Sequence, residues 1–130
     1  MNNLFSDVSG TITVRPLNAA TSVDGQIAFN CSSNNAVIAW LFRIECDPLV
    51  GQTLTVSNCD INSNYAAHYR TEKSSDGFIC NLIVFDAVLS HGGCYACADG
   101  FGTGNSFQAM LIVVGRQFQL CVRQLHWAIL

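Results

Sequence analysis

Charge is what this chain has least of. Its 130 residues hold six lysines and arginines and nine aspartates and glutamates, 12% charged in all, for a formal net charge of −3. No basic block is present, so the electrostatic footprint of a nucleic-acid binder is missing and no nucleic-acid partner is expected. Helix signals are nearly absent, and proline occurs only twice. No apolar run reaches the length of a membrane span. The first residues, Met1-Asn-Asn-Leu-Phe-Ser, have neither a basic n-region nor an apolar h-region. An extracellular reading therefore takes residue 1 as the start of a fragment whose leader, and any anchor, lie outside it.

Half of the residues are apolar. With so few charges, some apolar surface is expected to stay exposed as a contact surface. Seven cysteines point to an oxidising compartment, and the odd count leaves one thiol free or paired with another chain.

Short alternating runs, separated by clusters of Gly, Asn, Asp and Ser, predict an all-β sandwich of eight or nine strands. The strand candidates are 11–15 (ended by Pro16), 26–31, 37–45, 52–56, 68–71, 78–85, 93–98 and 107–114. Residues 32–35 read as a turn and 57–64 as a polar loop. Residues 1–115 read as one domain. The tail, 116–130, is apolar yet carries two arginines and His126. It extends the last strand, docks on a partner, or is an artificial extension.

Chemistry-bearing motifs are few. Cys94-Tyr-Ala-Cys97 has redox C-x-x-C spacing, but it lies in a predicted strand, where residues three apart point to opposite faces. Cys46, Cys59, Cys80 and Cys94 with His68, His91 and His126 match no paired zinc-ligand spacing. No catalytic residues, metal or cofactor are expected, and the chain is read as a non-enzyme. Asn30-Cys31-Ser32 is an N-glycosylation sequon, though its strand-end position and central core cysteine argue against occupancy.

One constellation is specific: Cys31, Trp40 and Tyr95-Ala96-Cys97. Counting back from Cys97, apolar residues stand at −15, −13 and −10 (Leu82, Val84, Ala87), a small residue at −4 (Gly93) and Tyr95 at −2. Gly25 and Pro16 fit the same pattern. The chain thus resembles the V-type domain of the immunoglobulin superfamily, an antiparallel β-sandwich of about nine strands, over roughly 11–114. The length between Trp40 and Cys97 leaves room for strands C′ and C″. At −6 the family's aspartate, which pairs with an arginine, is replaced by His91, with Arg70 near the partner position.

The resemblance implies a disulfide between Cys31 and Cys97, with the indole packed on it. Cys46–Cys94 and Cys59–Cys80 are expected as further pairs, although connectivity stays open in sequence. Cys121 is left over and could crosslink a dimer. Phe101-Gly-Thr-Gly104 copies the Phe-Gly-x-Gly of joining segments. That reading aligns the chain with a primitive joining-segment-containing, antigen-receptor-like V domain of an invertebrate chordate. The other reading is a Gly/Asn hairpin turn over 102–106.

The implied function is a recognition module of a cell-surface or secreted immune-type receptor. It would bind a protein or glycan and form a homodimer through its GFCC′ face. Candidate binding residues are Asn34 and Asn35 (B–C loop), Leu41, Arg43 and Glu45 (outward on strand C), and Asp99 and Phe101 (F–G loop), with Cys94 and Ala96 on strand F. A structural adhesion module of a larger chain and a small secreted inhibitor are the competing readings.

Overall fold

The computed structural model describes residues 12–34, 38–43, 46, 52–99 and 106–115, the side chains of 43 and 52–55 excepted. Among these residues ten strands follow in chain order: β1 Ile12–Val14, β2 Ala19–Ser22, β3 Ile27–Phe29, β4 Ser32–Ser33, β5 Ala39–Arg43, β6 Gln52–Val56, β7 Tyr69–Lys73, β8 Cys80–Val84, β9 Gly93–Ala98 and β10 Ser106–Val114. One sheet has the order β2-β10-β9-β5-β6, and a second has the order β3-β8-β7. β4 pairs with β1 and, through a bridge from Ser32 to Ile79, runs on beside the second sheet. All strand pairs are antiparallel except β10 with β2, which is parallel.

Two features differ from the sequence reading. Residues 32–33 form a short strand where a turn was expected, because Ser32 and Ser33 are held by Val14, Ile12 and the Phe78 carbonyl. β2 has no alternating signature in Ala-Ala-Thr-Ser, yet it pairs along β10 from Ala19–Leu111 to Ser22–Val114. Tertiary pairing overrides weak local preference here. The turn after β2 requires a glycine: a Cβ on Gly25 would collide with the Thr21 hydroxyl and lie 2.9 Å from the Ser22 carbonyl oxygen.

Period-two alternation decides which side chains meet between the sheets. Phe29, Cys31, Ile38, Trp40, Phe42, Val56, Leu82, Val84, Tyr95, Cys97 and Leu111 all turn inward and form one buried cluster fed by both sheets. Each such large apolar side chain contributes about 2–3 kcal/mol of burial. Phe29 lies 5.1 Å from the Tyr95 ring and 6.1 Å from Trp40, so the centre is aromatic.

Candidate functional site

The clamp between the sheets comes first, because it orients everything else. Cys31 and Cys97 are bonded, with Cα atoms 6.5 Å apart. Trp40 stands directly across from Cys97 in the β5–β9 register, wholly buried. Its indole N–H donates to the Cys80 carbonyl at 3.1 Å, reaching from one sheet to the other and satisfying the buried donor. Cys46 and Cys94 are bonded at a Cα separation of 4.9 Å, and Cys59 and Cys80 at 5.8 Å. Cys94 and Cys97 are therefore in different bridges, and Cys94 offers no thiolate for redox chemistry.

A polar network lies at the end of the core near the turn from β8 to β9. The Tyr95 hydroxyl donates to the His91 carbonyl at 2.8 Å, so the Tyr69 hydroxyl, 2.9 Å away, is the donor in the Tyr69–Tyr95 bond. A tyrosine two before the second cysteine bonding to backbone upstream is the corner that locks this turn in such sandwiches. Burial raises the pKa of both phenols. The Val88 N–H donates to His91 Nδ1 at 3.0 Å, and the His91 ring faces His68 at 4.6 Å and Tyr69 edge-on at 5.4 Å. Burial first, and the neighbouring His68 second, push the His91 pKa below its ordinary value. His68 in turn bonds the Phe85 carbonyl through Nδ1. Arg70 instead lies over the Phe85 ring at 5.3 Å. An aromatic and imidazole stack thus stands where an acid–base strut was the pattern. Sequence reasoning located His91 as the anomaly but missed His68 and Tyr69; the odd residue at −6 was the available signal.

The outward side of the five-stranded sheet follows from the same alternation. Trp40, Tyr95, Cys97, Ala109 and Leu111 point in, so Ala39 and Leu41 on β5, Ala96 and Ala98 on β9, and Gln108, Met110 and Ile112 on β10 point out. Register places Leu41 beside Ala96, and Ala96 beside Gln108. Met110 is 43% and Ile112 54% exposed, while Leu41 is half-buried and Ala96 is buried. Met110 opposes Cys94, whose bridge to Cys46 lies on this face. Among the described side chains turned outward on β5, β9 and β10, none is charged. The second sheet differs, showing Arg70 and Glu72 outward on β7.

The named candidates therefore separate. Leu41 is on this face, and Asn34 is exposed in the bend after β4. Asp99 is 1% exposed, so its carboxylate is not presented to a partner, contrary to the sequence expectation. The end of β9 carries it into the interior instead of the loop surface. Arg43 pairs by backbone with Cys94, but its side chain, with Asn35, Glu45, Phe101, the 101–104 glycine motif and Cys121, lies outside the described residues. Met110 and Ile112 were missed as face residues, although their alternation with Ala109 and Leu111 marks them.

No protein-family model matches the sequence, and a search of curated proteins found no match. Solved structures do match. The first Ig domain of the mouse polymeric immunoglobulin receptor superposes with a TM-score of 0.61 at 16% identity, covering 81% of this chain and 95% of that one. The RIG-5 IG1 homodimer gives 0.61 at 14% identity, over 80% and 96%. A chain of the structure of Dpr1 IG1 bound to DIP-eta IG1 gives 0.59 at 16% identity, over 81% and 95%. At these identities the likeness is one of fold: the chain is an immunoglobulin-like β-sandwich with disulfide bonds.

Proposed function

We propose that the chain is a non-catalytic, variable-type recognition module that works outside the cell and binds a second copy of itself through the outward face of the β2-β10-β9-β5-β6 sheet. The observation that carries this is the segregation of charge. Among the described side chains, those turned outward on β5, β9 and β10, Leu41, Ala96, Met110 and Ile112 among them, carry no charge, while Arg70 and Glu72 sit on the other sheet. Interface centres are depleted in charge and enriched in methionine. Three disulfides suit an oxidising compartment. The β6 strand beside β5 supports the variable type over the constant type. Two of the similar structures carry paired first Ig domains, one homotypic and one heterotypic.

Residues 1–115 are the recognition domain in this reading, and 116–130 a tail whose Cys121 can lock the pair covalently. The exposed Asn34 belongs to a second, loop-end surface open to a protein or glycan ligand. Kinship with joining-segment receptors rests on Phe101–Gly104 and is a finer form of the same proposal.

Sedimentation over a concentration series, with and without mild reductant, tests it. Reversible dimerisation, weakened about tenfold or more by Leu41→Glu, is expected, since an isologous face places the new charge against itself. Glu72→Lys on the other sheet leaves it unchanged. A strictly monomeric protein at high concentration overturns it.

A further inference from the structure

The sequon is the motif that the pairing function leaves unused. The alternation of β3 continues past its end, with Phe29 and Cys31 buried in the core and Asn30 exposed. The strand-end position that argued against occupancy is thus what keeps the side chain clear of the core. Asn30 borders a groove of about 200 Å³ whose other walls are Val14, Arg15, Leu17, Asn18, Ala19 and Ala28. Leu17 is 79% exposed and Val14 46%. β3 belongs to the sheet opposite the one that carries Leu41, Met110 and Ile112.

We infer that Asn30 is an N-glycosylation site, and that the first sugars of its glycan cover the exposed Val14 and Leu17 side chains of the groove while leaving the β5–β9–β10 face free for pairing. The inference rests on the extracellular reading. The co-substrate is a lipid-diphosphate-linked oligosaccharide. The Asn30 amide nitrogen bonds to C1 of the first sugar and gives up one proton. The C1–O bond to the carrier breaks, and the diphosphate leaves with the electron pair. Transfer precedes folding, because the folded chain locks the sequon on both sides. The Cys31 N–H donates to Asn81 Oδ1 at 3.2 Å, the Cys31 carbonyl accepts from Cys80 N–H at 2.9 Å, and Ser32 is bridged to Val14 and Ile79. The product then folds with the glycan outside.

The test is secretion of the full chain from a eukaryotic host behind a cleavable leader. Three chains are compared by intact mass before and after peptide-N-glycosidase: the native sequence, Asn30→Gln, and Asn64→Thr, which makes a second sequon at the exposed Asn62. The expected result is a glycosidase-sensitive mass increase on the native chain, lost in Asn30→Gln, with conversion of the modified asparagine to aspartate at position 30. Hydroxyl-radical labelling of Leu17 falls in the glycosylated protein relative to Asn30→Gln. A native chain without sugar beside an Asn64→Thr chain glycosylated at Asn62 overturns the inference and leaves the extracellular reading standing. Failure at both positions overturns the inference and counts against that reading as well. Equal Leu17 labelling overturns the covered groove.

Discussion

His91 shows how one residue can set the pH response of the whole sandwich. Its Nδ1 accepts a backbone N–H, so protonation there breaks a hydrogen bond as well as placing charge beside His68 in a buried site. The groups facing it are His68, Tyr69 and Tyr95, and none is an anion that would welcome a proton. With the folded pKa below the unfolded value near 6.5, the unfolded chain binds the extra proton. Stability is full above that value and declines as pH falls through it toward the lower folded pKa. The urea midpoint at roughly pH 5 is therefore expected below that at roughly pH 7.5. His91→Asn, whose side-chain oxygen can keep the Val88 bond, flattens this dependence; an equal slope in the variant contradicts the assignment. Tyr95 gives a second prediction. Tyr95→Phe orphans the His91 carbonyl and costs about 1–3 kcal/mol in denaturant unfolding, whereas Tyr69→Phe leaves that bond intact and costs about 0.5–1.5 kcal/mol.

At the scale of elements, the three bridges differ in what they close. The Cys31–Cys97 and Cys46–Cys94 pairs are 66 and 48 residues apart in sequence, and Cys59–Cys80 only 21. Chain entropy alone gives about 4 kcal/mol for each long loop and about 3 kcal/mol for the short one. Replacing both cysteines by alanine at 31 and 97 also empties core volume at the Trp40 contact, so that pair is expected to lower thermal stability most. The 59/80 pair differs in kind, since it fastens a turn with left-handed backbone at Asn58 and Cys59, also held by Thr71 and Lys73 to the Cys59 and Asn58 carbonyls. Its double alanine variant is expected to lose less stability but to speed proteolysis in 57–62. The same contrast explains what was legible in sequence. β5, β8, β9 and β10 announce themselves because their apolar residues alternate against a two-sided core. β2 and β4 do not, because partners distant in sequence hold them, and the 3₁₀ helices Ser63–Tyr65 and Leu89–His91 do not, because a single turn closed by local bonds shows no periodicity. The clamp was readable from Cys31, Trp40 and Tyr95 at fixed spacing. The burial of Asp99 was not, since no local pattern tells the last residue of a strand from the first of a loop.

For the whole molecule, the consequence of this fold is a division of labour between two outer faces. Among the described side chains, one presents the uncharged Leu41, Met110 and Ile112, the other Arg70, Glu72 and the Asn30 sequon. Burying these uncharged side chains against their own copies needs no compensating ion pairs, and each charge added among them would be desolvated twice. Met110→Asp is accordingly expected to weaken self-association about tenfold or more in sedimentation, with melting temperature of the monomer little changed. The most direct measurement is a dilution series of the methyl-labelled protein by NMR. The methyl signals of Leu41, Met110 and Ile112 should shift together with concentration along one binding curve, while those of Leu17, Ile79 and Leu89 stay fixed. Concentration-independent spectra, or shifts confined to Leu17, Ile79 and Leu89, would contradict pairing through this sheet.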